Sequence, residues 1–462
     1  MHPKQRDHRT VSASSQRGAA TLIVVMILFF IVSLTAAYTS RNLIFEQRTS
    51  ANQFRATSAF EAADAGMEWA TAQLNVGRME DDCIPTVDDA TAAKLSFRER
   101  YLDINATTGA LSARSPSGSG SVTPMCVFDN TGADTTWNWK CRCPKQNAST
   151  TALVPPASTG PAPAFMVAAA NGPRADLIEM FVFSCSRYDT TCLNTPTQVA
   201  SGDSAGLIRA YFALRGSLTR PPAAALTVSD GLTLSPLSSA ALQLVNADTT
   251  ANGVTLHVGG TIPTTGIVRT GLAGTPDEST QVLGDTTALQ PPAVAASGAQ
   301  QAFSDSDRRF ASFFGMRPLT YMRQPGLVTV DCSAGCSAAT INTAMSRNPG
   351  RAVWVTGAGG TLTLDANVGS VAAPALLIVE GDLAISTGVI VRGLIYGRKS
   401  NWTWTVSGSA SVVGAAVAEG SLLVSGAASS TTITYDATTL TALRLRVGTF
   451  VRVPGSWRDF TS

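Results

Sequence analysis

Residues 18 to 40 of this chain carry no charged side chain, and that run limits the fold more than any other feature. The stretch Gln16-Arg17-Gly18-Ala19-Ala20-Thr21-Leu22 passes from a basic, polar leader through a glycine into wholly apolar text. As a helix, the 20 residues from Ala19 to Tyr38 would extend about 30 Å, the thickness of one hydrocarbon core. The leader sets Lys4, Arg6, Arg9 and Arg17 against Asp7, so it is expected to stay in the cytoplasm with the rest of the chain in the periplasm. A secretory signal is one alternative, with Thr35-Ala36-Ala37 as a poor cleavage site behind an overlong apolar core; a plain single-pass anchor is another.

Neither alternative accounts for the residues that follow. No proline occurs between Ala19 and Cys83, and helix formers continue to about Val76, with Gly77 as the expected stop and Pro85 beyond it. A helix over 19–76 would be about 87 Å long, half in lipid and half out, and a helix of that length is expected in a coiled coil or an assembly. Its outer half carries a stripe of mostly small residues at Ala51, Phe54, Ser58, Ala62, Ala65, Trp69, Ala72 and Val76, one helical face. Small residues let helix backbones approach closely. Arg41, Arg48 and Arg55 flank the stripe on one side, and Glu61, Asp64 and Glu68 on the other. Packing of the helix on its own head explains this outer half, but not the straight continuation into the apolar half.

A basic leader ending in glycine, a small residue, an apolar run and one continuous amphipathic helix together resemble the class III signal of type IV pilins. The resemblance implies cleavage by prepilin peptidase between Gly18 and Ala19 and N-methylation of Ala19. Most pilins carry glutamate at the fifth mature position, where this chain has Ile23. Within the family that departure is similar to the PilX group of minor pilins, and to K-type pseudopilins of type II secretion, which sit at the tip. A first subunit has no subunit above it whose amine needs a buried carboxylate. The segment Glu46-Gln47-Arg48 and the run AFEAADAGMEWA at 59–70 resemble the PilX N-terminal domain specifically, and VPGSWRDF at 453–460 resembles the endings of larger PilX-like chains. The partners implied are other minor pilins and a PilY-family tip adhesin, with the inner membrane before assembly; the roles implied are pilus assembly, cell adhesion and twitching motility.

Eight cysteines lie beyond the apolar run: Cys83, Cys126, Cys141, Cys143, Cys185, Cys192, Cys332 and Cys336. An even number in an exported chain reads as disulfides, and the spacings lack the paired CxxC pattern of zinc sites. Cys185 with Cys192 and Cys332 with Cys336 are the expected local pairs; the other four allow three pairings. The expected organisation is a leader at 1–18, the helix at 19–76, a disulfide-containing pilin-like α/β domain at 77–220 and a β-rich repeat domain at 221–462, an α+β fold overall. DLIEMFVFSCSRYD and GLIRAYFALRG read as strands of the first. In the second, LIVEGDLAIS (377–386) repeats as AVAEGSLLVS (416–425), and VRGLIYG (391–397) repeats as VVGAAVA (412–418). Offsets near 20 and 40 suit β-solenoid coils, with a small β-sandwich as the alternative. Residues 272–302 are low in complexity and read as a linker, and SDSDRRFASFFGM then reads as a capped helix with Phe310, Phe313 and Phe314 on its core face.

Chemistry is hard to place in this chain. Charged residues make up 14%, and once the leader is set aside 30 basic residues face 31 acidic ones, so a nucleic-acid partner is not expected. His257 is the only histidine outside the leader, no nucleophile elbow is present, and GAGGTLTL at 357–364 lacks a phosphate-loop lysine. DNTGAD at 129–134 could be a calcium loop but lacks the later bidentate acid, and an ordinary turn is the simpler reading. Asp365, Glu380, Asp382 and Glu419 are candidate acids for a glycan groove, although no spacing singles them out. The reading is a PilX-like minor pilin at or near the pilus tip, not an enzyme, with no cofactor, metal or small-molecule substrate. A K-type pseudopilin, or a membrane-anchored periplasmic β-helix that binds or cleaves glycans, stands as the alternative.

Overall fold

The computed structural model describes residues 17–86, 94–114, 123–131, 136, 138–145, 162–188, 193, 203–235, 242–274, 276, 281–283, 305–426 and 431–459. Helix α1 (Arg17–Gln73) runs without a break, about 86 Å at the usual rise for its 57 residues, and passes into turns at Leu74 and Asn75, a little before the expected end. It lies across an antiparallel sheet of six strands, in the order Gly448–Arg452, Ala205–Gly216, Leu177–Cys185, Ala164–Asn171, Met125–Asp129 and Asn138–Arg142. Alternation along Leu177–Cys185 turns Ile178, Met180 and Val182 towards the core, where they meet Met67, Ala70 and Leu74 of the helix.

The second half is a β-solenoid. All its strands pair in parallel with strands of neighbouring coils, which removes the sandwich alternative. Val391 is the register partner of Val412, so the shorter sequence repeat is one coil. Leu377 pairs with Ile395, and Ile395 with Ala416, so the longer repeat is two coils. Each coil has three faces. Ile390–Gly397 and Ala410–Ala418 turn a corner at Gly393 and Gly414, register partners with φ of +150° and +138°. A Cβ on Gly393 would lie 1.8 Å from the Ala375 carbonyl oxygen, and one on Gly414 2.0 Å from that of Gly393. Only glycine fits there. The third face is a separate sheet containing Thr361–Leu364, Asp382–Ile385, Asn401–Val406 and Ser421–Gly426, its inner side filled by Leu383, Trp402, Trp404 and Leu422.

One face is buried on both sides, which explains continuous apolar strands such as Ala375–Val379. Inside it is the solenoid core; outside it lie helices α3 (Asp305–Phe314), α4 (Pro318–Met322) and α6 (Ala437–Arg446), with Phe310 and Phe314 packed against Trp354 and Tyr396. Helix α5 (Ala338–Arg347) lies beside the first coils. The coils do not follow chain order. The chain enters at Leu226–Val228, beside Ala416–Ala418, and stacks outward to Ile267–Thr270 and Gln281–Leu283. It resumes at the opposite end with Leu327–Asp331 and stacks back until Thr431–Tyr435 pairs with Leu242–Val245. The segment expected as a linker falls mostly outside the described residues.

The expected unit 221–462 does not close on itself. After α6 the chain leaves the solenoid, and Gly448–Arg452 adds to the antiparallel sheet, with Phe450 opposite Leu214. That strand covers an edge which would otherwise present unpaired backbone groups, and buries Phe450 in the first core.

Candidate assembly helix

Among the described residues, the apolar half of α1 is exposed along its whole length. Leu22, Ile23, Phe29, Phe30 and Leu34 are exposed, as are Leu43 and Phe45 further along. The helix is long and apolar enough to cross a membrane, and none of its most apolar window is buried in the protein. Gly18 and Ala19 fall in its first turn, and residues 1–16 of the leader lie outside the described residues. Arg41 sets its guanidinium 6.0 Å from the Phe45 ring, and Glu46 and Arg48 are exposed.

Helix and head meet along Ala59, Ala62, Ala63, Gly66, Met67, Ala70 and Leu74, all buried. This is not the stripe expected from the sequence. Of that stripe Ala62 is buried and Ser58, Ala65 and Trp69 are half-buried at the margin, whereas Ala51, Phe54 and Ala72 face outward. The contact turns on Gly66, where a Cβ would come within 2.6 Å of Val182 Cγ1 and 2.9 Å of the Phe165 ring. Nothing in the small-residue spacing favoured Gly66 over Ala65; the signal was the one glycine in the alanine-rich outer half of the helix. Glu68 pairs with Arg452 at 3.0 Å, and Ser184 Oγ donates to the Ala59 carbonyl at 2.6 Å.

The end of the helix is fastened by polar groups that sequence reasoning passed over. Asn75, buried, donates through Nδ2 to the Phe450 carbonyl at 2.9 Å and accepts from the Phe450 N–H at 2.8 Å. It binds the C-terminal strand as another strand would. Beyond it, disulfides join Cys83 to Cys143 and Cys126 to Cys141, choosing among the three open pairings. Arg100, fully buried, donates to the Met79 carbonyl at 2.6 Å and to Asp81 at 3.1 Å, and also to the Cys143 carbonyl, locking the loop that carries the first disulfide. In the solenoid, Cys332 is bonded to Cys336. Cys185 is disulfide-bonded, and its expected partner Cys192 lies outside the described residues.

The candidate acids do not converge on a groove. Glu380 accepts from Trp354 Nε1 at 2.9 Å, Asp382 pairs with Lys399 at 2.8 Å, and Asp365 accepts from the Ala338 N–H at 3.1 Å. Glu419 is buried beneath α3 with Ser306 and lies 3.4 Å from Arg398 Nε; burial raises its pKa, an effect that Ser306 and Arg398 partly offset. At the expected turn, Asp129 accepts from Thr131 N–H at 3.0 Å and Thr131 Oγ1 at 2.6 Å and pairs with Lys140, which hold its carboxyl down at about 2. Residues 132–134 of that turn lie outside the described residues. Among the described residues no group of three or more His, Cys, Asp and Glu side chains is placed to hold a metal ion.

Residues 17–68 match the family model described as PilX N-terminal. No curated protein matches the chain. Among solved structures the chain is similar to the competence-associated pilin ComZ from Thermus thermophilus, with 11% identity, 88% of this chain and 97% of that chain covered, and a TM-score of 0.22. So low a score carries no argument, and the family match stands without it. That match falls wholly on the unbroken helix, so this N-terminal segment, which carries a β-rich head, is similar to the PilX N-terminal family.

Proposed function

We propose that this chain is a minor pilin that helps to initiate type IV pilus assembly and stays at or near the tip, where its head faces a tip adhesin. One observation carries the reading: the helix that matches the PilX segment leaves its apolar half exposed among the described residues and continues unbroken into the head. Such a surface suits lipid before assembly and neighbouring helices after it. Ile23 in place of a carboxylate supports the tip position, because a subunit that follows no other has no amine to neutralise there. The proposed division of labour has the helix doing the assembly and the antiparallel sheet and solenoid forming the presented head. The role is structural and not catalytic.

Cleavage between Gly18 and Ala19, with methylation of Ala19, is part of the same proposal. Mass spectrometry of the mature N-terminus tests it. A methylated Ala19 is expected; an intact leader or a cut near Ala37 would remove the pilin reading. Gly18→Val should leave membrane insertion intact, block processing and reduce piliation. Normal pilus numbers from that variant would dissociate the chain from assembly.

A further inference from the structure

A cavity of about 750 Å³ opens where the antiparallel unit meets the solenoid, and its charge is one-sided. Among the described residues, Arg78, Arg98, Arg114, Arg351 and Arg446 line it, against the carboxylates of Glu99 and Asp103, with no lysine or histidine. The two acids have other duties. Asp103 pairs with Arg114, and Glu99 Oε2 accepts from the Ser96 N–H at 2.8 Å and Ser96 Oγ at 2.9 Å, closing the capping box of helix α2 (Phe97–Tyr101).

Three of the guanidiniums hydrogen-bond to neutral groups, with no carboxylate bonded to them among the described residues. Arg98 is 4% exposed and donates from Nε to the Leu74 carbonyl at 3.1 Å, and from Nη1 to the Gly350 and Gly448 carbonyls, both at 3.2 Å. Its Nη2 has no hydrogen-bond partner among the described residues. Arg351 donates to Asn348 Oδ1 at 2.7 Å and to the Leu327 carbonyl at 3.1 Å, and its Nε has no partner. Arg446 donates from Nη1 to the Ala372 carbonyl at 2.8 Å. Burying guanidiniums beside one another with more positive than negative charge around them is costly. Consistent with that cost, the Arg98 pKa falls to about 10, through burial first and the charge of Arg351 second, with the nearby Glu99 carboxylate offsetting part of the fall.

We propose that this cavity is a binding site for a small polyanion, a molecule bearing two or more carboxylate or phosphate groups. Planar guanidiniums converging from separate elements suit two-pronged recognition of such oxyanions. The volume suits a small molecule, and Leu102, Ile104 and Met345 give it apolar wall for the ligand's body. The ligand would bridge α2, the turn after α5 and the end of α6, and so fasten the two halves of the head.

The test is isothermal titration of citrate, and separately of inorganic phosphate, into the full chain in detergent at fixed ionic strength. Saturable one-to-one binding is expected, with citrate tighter than phosphate if several groups are read together. Arg446→Gln should weaken citrate by about tenfold or more, the loss expected for a charge-assisted hydrogen bond. Arg444→Gln, two residues away, exposed and outside the cavity, should bind as the parent does. Ala373→Asp, at an exposed position on the rim, introduces a competing carboxylate without touching the arginines and should also weaken binding. Failure of both anions to bind saturably overturns the proposal, as does citrate affinity that both Arg446→Gln and Ala373→Asp leave unchanged, or that Arg444→Gln lowers equally.

Discussion

The glycines of the solenoid carry different loads although they look alike in the sequence. Gly393 has both a positive φ and a carbonyl oxygen 1.8 Å from any added Cβ, Gly388 has φ of +78° with nothing nearby, and Gly359 has neither constraint. Replacing each with alanine should therefore grade the cost. Gly359→Ala is expected to be neutral, Gly388→Ala to cost about 1 kcal/mol, and Gly393→Ala about 3 kcal/mol or more, read from urea midpoints at constant m. Equal effects at all three would remove the corner argument. A second residue-scale prediction concerns acid. The raised pKa of Glu419 means that its contribution is complete below the ordinary value of 4.5 and is lost as pH rises through the folded value. Asp129, held at about 2, contributes stability that is lost as pH falls from its ordinary 3.8 through that value. Glu419→Gln should flatten the decline above pH 4.5 while leaving the fall at lower pH in place. If the variant declines above that pH as steeply as the parent does, Glu419 is not the source.

Among the elements, α1 was legible in the sequence because a long uncharged run followed by helix formers has few other solutions. Its contact face was not. An alanine-rich helix offers small residues on several arcs, so spacing could not distinguish the arc at 51, 54 and 58 from the one at Ala59, Ala63, Gly66 and Ala70. The coil period was legible because corners and inward positions repeat, and the offset between Val391 and Val412 is the register itself. The stacking order of the coils left no such trace, because parallel pairing between Leu242–Val245 and Thr431–Tyr435 joins segments that share no motif. The arginine cavity was likewise invisible, its members being scattered from Arg78 to Arg446. A prediction at this scale follows from Asn75. Asn75→Ala would leave the Phe450 N–H and carbonyl without their partner in a buried setting, at a cost of about 2–4 kcal/mol. Amide exchange should then quicken along Gly448–Arg452 before it does in the solenoid. Uniform quickening would mean that Asn75 does not fasten that strand specifically.

For the whole molecule, the C-terminal strand ties the chain that leaves the solenoid back into the antiparallel sheet, so the two halves of the head are expected to unfold together. A calorimetric scan of the full chain should show the head melting in a single transition, and Asn75→Ala should split it, the antiparallel unit going first. Two separate transitions in the parent would mean that the halves are independent. The same strand also has a mechanical consequence. Gly216, where the chain leaves the sheet for the solenoid, is the register partner of Gly448, where it returns. Tension on the distant coils therefore enters the sheet through two strands side by side. One of them is hydrogen-bonded to its neighbour along its length and clasped to α1 by the Asn75 amide. In engineering terms this is a lap joint with a doubled strap: a pull along the two strands is shared between them and reaches Leu177–Cys185 as shear on several hydrogen bonds at once.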